Sequence, residues 1–315
     1  MRALPVRIGV KRRKMMRVLP VRFGVNIDPL ASDPHWPLLL AKTIERVNLD
    51  FACVQDHPYQ VLHLDMWTTI TTLTQSTSTL RFFPNVTNSP LRPPTLLAKA
   101  AATLDILSNG RVELGIGAGA SGFWPQIEAM GGPAWSPGQA VNALEEAVTI
   151  IRSCWAGQPF SFAGTYYSVK NFRPGPTPTH PIEIWVGALG PRMLQLTGRL
   201  ADGWIPSSIF IPPEQLAEKN QQIDEAAIAA GRHPSAIRRI YNIFGHITPD
   251  SEGGRAGEFH GSIVSWVQSL LNLVEQGIDT FIYWPNSNHV QQIEIFGEEI
   301  APRVREAIAP EQDAG

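Results

Sequence analysis

Asn85-Val86-Thr87-Asn88-Ser89-Pro90-Leu91-Arg92-Pro93-Pro94 leads into a helix-periodic run ending Leu107-Ser108-Asn109-Gly110-Arg111, and then into Val112-Glu113-Leu114-Gly115-Ile116-Gly117-Ala118-Gly119. This reads as strand end, helix and strand. The prolines sit where a first helical turn tolerates them, and Asn109-Gly110 marks a stop. Both strand ends open on the same side, which is where a barrel enzyme keeps its chemistry.

Working outward, short apolar β-rich runs alternate with longer helix-periodic segments along the whole chain, the pattern of βα repetition on a parallel sheet. The strand candidates are Val21 to Ile27, Phe51 to Asp56, Leu80 to Val86, Val112 to Ala118, Ile182 to Ala188, Trp204 to Ser208, Arg239 to His246 and Thr280 to Trp284. Helices are expected at Trp36 to Asn48, Met66 to Gln75, Pro94 to Leu107, Gly138 to Trp155, Pro191 to Arg199, Pro213 to Ala230, Gly261 to Gln276 and His289 to Ile308. Eight such units in about 290 residues predict an α/β protein, a (β/α)8 TIM barrel. A doubly wound sheet would carry a GxGxxG turn after its first strand, and the sequence has none there. Between the fourth and fifth βα units, Phe160 to Val169 reads as a small hairpin around Ala163-Gly164. A proline-rich connector, Pro174 to Pro181, follows it.

The N-terminus nearly repeats itself: Leu4-Pro5-Val6-Arg7-Ile8-Gly9-Val10 recurs as Leu19-Pro20-Val21-Arg22-Phe23-Gly24-Val25, with Lys11-Arg12-Arg13-Lys14 between. The second copy flows into the barrel. Residues 1–15 are therefore expected to be a disordered or mis-started extension, and 16–315 the barrel domain; a basic targeting arm is the alternative. With 315 residues, 43% hydrophobic and 17% charged, the chain has the makings of a large buried core. A net charge of −2 gives no electrostatic support for nucleic acid or an anionic membrane as partner. Cys53 and Cys154 lack CxxC or CxxH neighbours, which points away from disulfide or zinc scaffolds and toward a reducing, cytoplasmic setting. No apolar run approaches the roughly 20 residues of a membrane span.

On a barrel the functional residues lie at strand C-termini, here Asn26 and Asp28, Asp56 and His57, Asn85 to Asn88, Gly117 to Gly122, Gly187 to Gly190, and Ser207-Ser208. Asp56-His57 sets a carboxylate beside a group titrating near neutrality, suited to hydrogen-bonding a ring carbonyl or moving a proton, although a histidine capping the next segment reads the same way. The glycines from 117 let backbone approach a ligand closely, or make a bare turn. Gly187-Ala188-Leu189-Gly190-Pro191 ends at a helix start, whose free N–H groups favour a phosphate. The histidines show no HxH or HExxH spacing, so no metal site is expected. There is no GxSxG elbow and no nucleophilic cysteine motif. Such binding-rich, catalytically sparse machinery suits an enzyme whose cofactor performs the hard step.

Together Val54-Gln55-Asp56-His57, Val86-Thr87-Asn88, Ala101 through Arg111, Gly115-Ile116-Gly117-Ala118-Gly119 and Ala201-Asp202-Gly203-Trp204 resemble the luciferase-like flavin and deazaflavin oxidoreductases. This is the family of bacterial luciferase, alkanesulfonate monooxygenase and methylene-tetrahydromethanopterin reductase. The resemblance runs from Val21 to about Ile308, and Asn85-Val86-Thr87-Asn88 is similar to the deazaflavin branch. It implies coenzyme F420, a deazaflavin, with FMN as the alternative, and a non-proline cis peptide at Asn85-Val86 behind the ring. It also implies His57 near the reactive ring edge with Asp56 beside it, Asn85, Val86, Thr87 and Asn88 behind the ring, Gly117, Ala118 and Gly119 along the cofactor, and Gly187, Ala188, Leu189 and Gly190 at its phosphate. The implied chemistry is hydride transfer with a small organic substrate, or oxygen activation on reduced FMN; a non-catalytic flavin-binding barrel is a third reading. A homodimer through the early helices is implied as well. Two positions depart from the sugar-phosphate dehydrogenases of the family: Ala120 stands in place of a glutamate and Val61 in place of a tryptophan. Phe123, Trp124, Trp135, Trp284 and the 160–169 hairpin are candidate pocket walls, or simply core or dimer contacts.

Overall fold

The computed structural model describes residues 19–119, 121–249 and 257–309; the extension at residues 1–15 lies outside them. Eight strands, β1 (Arg22–Ile27), β2 (Phe51–Val54), β3 (Arg81–Pro84), β4 (Leu114–Gly117), β5 (Ile184–Val186), β6 (Gly203–Trp204), β7 (Arg238–Ile247) and β8 (Thr280–Pro285), alternate with helices. The helices are α1 (Trp36–Arg46), α2 (Met66–Gln75), α3 (Pro94–Leu107), α4 (Pro137–Trp155), α5 (Pro191–Leu200), α6 (Leu216–Ala229) and α7 (Ile263–Glu275). A last helical run, α8, has segments His289–Ile295 and Ala301–Ile308 joined through a π turn at Phe296–Ile300.

Every pairing among these eight strands is parallel. β1 lies between β2 and β8, with Arg22 opposite Thr280, so the first and last strands are neighbours. The ring closes where Phe82 of β3 bridges to Val112, and where Thr87–Asn88 pair with Ile116 and Gly117 of β4. The expected barrel is thus the observed fold. Two strands pair antiparallel between α4 and β5, Phe160–Ala163 with Ser168–Phe172. A further short strand, Glu258–Gly261, lies parallel to β7. Its four residues, Glu-Phe-His-Gly, contain one large apolar side chain and so give no strand signature in the sequence.

Alternation along the strands divides the core in two. Phe51, Cys53, Phe83, Trp185, Ile205, Ile240 and Ile282 fill the barrel, while the larger cluster packs between sheet and helices. Inside, Phe51, Phe83 and Trp185 meet edge-on with centroids 4.8–5.7 Å apart. Gly24 makes room for them, since a Cβ there would stand 2.7 Å from that of Phe51. Below the rings lies a charged floor in which Arg238 donates to Asp279 at 2.9 Å and Arg81 pairs with Glu113. Above them the interior turns polar, and the site begins.

Candidate active site

At the upper end Asn26, Cys53, Asn85 and Asn242 form a buried layer. Asn85 Nδ2 donates to Asn242 Oδ1 at 2.7 Å and to Cys53 Sγ at 3.3 Å, and Cys53 Sγ in turn reaches Asn26 Oδ1 at 3.4 Å. Trp284 Nε1 also donates to Asn242 Oδ1, at 3.2 Å. Burial pushes the Cys53 thiol well above its ordinary value, so it serves as packing and not as a nucleophile. Asn26 continues the layer to Asp28, whose Oδ1 accepts from Asn26 Nδ2 at 3.0 Å and Gln55 Nε2 at 2.6 Å. Burial raises the Asp28 carboxyl, opposed by the charges of His289 and His63 and by those amide donors.

The Asn85-Val86 peptide is cis, as the resemblance implies. The Val86 side chain then enters the gap between two of the glycine turns. A Cβ on Gly117 would lie 2.8 Å from Val86 Cγ2, and one on Gly187 would lie 3.2 Å from it. Gly115 is packed against Pro84 O so closely that no Cβ fits. Glycine at these positions therefore has a packing cause: Val86 occupies the volume the missing side chains leave. Behind it, Thr87 Oγ1 and Asn88 Oδ1 are buried and have no hydrogen-bond partner within the protein, which costs free energy unless a ligand or water supplies one.

Asp56, the carboxylate next to His57 in the sequence, receives three hydrogen bonds. Its Oδ2 accepts from Asn88 N at 2.9 Å and Arg92 Nε at 3.0 Å, and its Oδ1 accepts from Arg92 Nη2 at 2.9 Å. Arg92 also reaches Asp65 Oδ2 at 2.9 Å. Burial alone would lower the Arg92 guanidinium, but the hydrogen bonds and charges of Asp56 and Asp65 overcome it and raise its pKa. Three donors thus occupy a buried carboxylate and tie the end of β2 to the segment after β3.

His57 is half-buried, with Nδ1 2.7 Å from Tyr59 Oη. Burial and the neighbouring His63 lower its pKa, while Asp56 and Asp28 pull the other way. It is consequently neutral at neutral pH and able to accept a proton. Burial and the charge of Asp56 push the Tyr59 hydroxyl up to about 12. Tyr59 stacks on Phe123 at 4.9 Å, and Phe123 also faces His57 at 5.6 Å, forming one aromatic wall; Phe244 and Trp284, 4.5 Å apart, form another. Trp124 closes on Gly119 and Trp135 packs edge-on against Tyr166 and Tyr167 of the hairpin, so these two buttress loops.

The fifth-strand turn brings Gly187 to Val86 and Gly190 to the start of α5. Trp204 Nε1 donates to Ala188 O at 2.9 Å and pins it, while a Cβ on Gly190 would meet nothing within 4 Å. Open space above a ten-residue helix start with free amides suits an anionic group. The structure therefore brings His57, Asn85 to Asn88, Gly117 and the Gly187 turn to one mouth. It adds Arg92 and Gln55, which stand in stretches quoted above without a role, and Cys53 and Asn242, which carry no local motif. A separate hollow of about 300 Å³ beside Phe259 and Trp266 holds none of the expected residues. Among the described residues no cluster of histidine, cysteine or carboxylate side chains is arranged to hold a metal ion, and no helix is long and apolar enough to cross a membrane.

Comparison with known proteins fits this geometry. The sequence pattern of the luciferase-like monooxygenases matches residues 18–258. An F420-dependent hydroxymycolic acid dehydrogenase of Mycobacterium tuberculosis is 30% identical over 69% of this chain and 61% of its own. A phthiodiolone/phenolphthiodiolone dimycocerosates ketoreductase of Mycobacterium bovis is 39% identical over 51% of this chain and 41% of its own. The chain thus spans about half the length of these curated relatives. An F420-dependent secondary alcohol dehydrogenase, solved in complex with an F420-acetone adduct, superposes with a TM-score of 0.81 at 20% identity, over 91% of this chain and 99% of its own, a likeness of fold. The chain belongs to the luciferase-like monooxygenase family.

Proposed function

We propose that this chain is an F420-dependent oxidoreductase that exchanges hydride with a small organic substrate. One observation carries the reading: Val86 sits between Gly117 and Gly187 as a backing wedge, beside the unpartnered Thr87 Oγ1 and Asn88 Oδ1, at the mouth that also holds His57. These residues fit a flat heteroaromatic ring with polar edges. Asn85 to Asn88 would back the ring, Gly117 to Gly119 would run along it, and the Gly187–Gly190 turn would take the phosphate.

Bound F420 supplies a ring carbon that takes up or releases hydride. The chain's own residues do the rest. With Nδ1–H donated to Tyr59 Oη, neutral His57 keeps Nε2 as acceptor for a hydroxyl proton; in the reverse direction the imidazolium so formed returns that proton from Nε2 to a carbonyl oxygen. Asp56 and Arg92 fix the loop that carries His57, and the Phe123 and Trp284 walls keep water from the reacting atoms. A homodimer joined through the early helices is also proposed, supported by exposed Leu39 on α1 and by Leu96, Ile106 and Leu107 on α3. A mass of one chain by light scattering would refute it. The two unpaired buried thiols suit a reducing, cytoplasmic setting.

Titrating the purified protein with F420 and with FMN, followed by fluorescence quenching, tests the cofactor assignment. F420 is expected to bind at micromolar or lower concentration. Binding of FMN alone, with oxygen consumed by its reduced form, would turn the reading to a monooxygenase, and binding of neither would end it.

A further inference from the structure

Asn242 of β7 is 3% exposed, and its side chain commits its whole hydrogen-bonding capacity to groups carried by three other βα units. Its Oδ1 accepts from Asn85 Nδ2 at 2.7 Å and from Trp284 Nε1 at 3.2 Å, and its Nδ2 donates to Ser207 Oγ at 3.2 Å and to Asn85 Oδ1 at 3.4 Å. With both lone pairs and both protons of the amide in use, nothing is left over for a ligand or a water molecule. The backbone is fixed as well. Asn242 N donates to Pro206 O and Asn242 O accepts from Ser208 N, each at 2.9 Å.

The partners of Asn242 belong to two sides of the mouth. Asn85 precedes Val86, the wedge between Gly117 and Gly187, and its Nδ2 is also held by Cys53 Sγ at 3.3 Å. Trp284 makes a wall with Phe244, 4.5 Å away. Val86 and Trp284 both pack on the inner cluster that holds Phe51, Phe83 and Trp185, yet no hydrogen bond joins Asn85 to Trp284 directly. Asn242 Oδ1 receives a proton from each. A carboxylate in its place would have no proton for Ser207 Oγ and Asn85 Oδ1, and an apolar side chain would leave the Asn85 amide and the Trp284 indole N–H with bonds unmade in a buried place.

We propose that Asn242 is a positioning residue that couples the two sides: it holds the segment backing the cofactor ring and the Trp284 wall as one hydrogen-bonded unit, so that binding on one side reorients the other. This rests on the oxidoreductase reading above. Asn242 has no free donor or acceptor to offer either ligand and acts through Asn85 and Trp284. The coupling is reciprocal: by whatever factor F420 changes the affinity of a ligand lying on the wall, that ligand changes the affinity of F420.

The test follows the Trp284 indole N–H of the full chain by proton–nitrogen NMR, its signal being the one among nine tryptophans that Trp284→Phe removes. In the native chain F420 should move that signal. In Asn242→Leu, F420 affinity should fall about tenfold, and saturating F420 should leave the signal where it stands without cofactor. Ser207→Ala removes a single bond from Asn242 Nδ2; it should keep the fold and shrink the F420-induced shift. In the cofactor-free protein Asn85→Ser should move the Trp284 signal, and the same substitution made on top of Asn242→Leu should not. An F420-induced shift of equal size in the native chain, Ser207→Ala and Asn242→Leu, or a Trp284 signal indifferent to Asn85→Ser, would overturn the proposal. Failure of the native chain to bind F420 would instead strike the oxidoreductase reading, while the cofactor-free comparison would still decide whether Asn242 joins the two sides.

Discussion

His57 holds its chemistry through a contest of neighbours. In the reaction proposed above its neutral form would be the base, so kcat/KM for oxidation of a hydroxyl should fall as pH drops through its pKa. That limb is expected below the ordinary value of 6.5, because burial and His63 depress it. His63→Gln removes the like charge and should move the limb up, whereas Asp28→Asn removes an opposing charge and should move it down. Opposite shifts in the two pH–rate profiles are the signature; shifts of the same sign would remove His57 from the role. His57→Ala should lower turnover by about 10²-fold or more while changing F420 affinity little. Asp56-His57 was legible in the sequence as a pair at a strand end. The pairing of Asp56 was not, because its partner Arg92 lies 36 residues further on. Asn242 and Cys53 escaped for a like reason: they sit inside apolar strands, and pairing with β3 for Cys53 and barrel closure for Asn242 make them neighbours of Asn85.

Among elements, the glycine turns and the segment after β3 are one device. Gly117→Ala drives a methyl into Val86, and overpacking of this kind costs about 1–3 kcal/mol. F420 affinity is expected to fall about tenfold, a loss of roughly 1.4 kcal/mol. Val86→Ala in the same chain vacates the space and should restore part of the thermal midpoint. A double-mutant cycle with no coupling would refute the wedge. At the opposite end of α3, Asp105 is completely buried and accepts from His180 Nδ1 at 2.5 Å and from Thr179 N at 2.6 Å. Glu113 and Asp105 raise the His180 pKa against its desolvation. The raised group lends stability that is complete below its unfolded pKa near 6.5 and disappears as pH rises through the folded value. The urea midpoint should therefore decline between pH 6 and pH 8.5, and His180→Gln should flatten that decline. The Leu104 to Arg111 run was readable as a helix end, but not as the anchor of a proline-rich connector lying about 75 residues away. The eight strands and helices were readable because each carries its own period and its own stop signals. The short strand Glu258–Gly261 carries neither.

At the scale of the whole molecule, the barrel is stratified: charges at the floor, aromatic rings in the middle, amides and a thiol at the top. Its first and last pieces are also adjacent. β1 hydrogen-bonds β8, Arg46 of α1 pairs with Glu294 and Glu298 of α8, Arg305 reaches Asp50, and Gly297 lies where any Cβ would strike Val47. Synthesis proceeds from the N-terminus, so β1 leaves the ribosome long before its second neighbour exists. Until Thr280–Pro285 emerges, one flank of β1 is an open edge of unsatisfied amides and carbonyls, free to recruit another strand. The completed ring thus depends on the late-made strand Thr280–Pro285, and a nascent chain stalled short of it would present to chaperones a sheet with two raw borders.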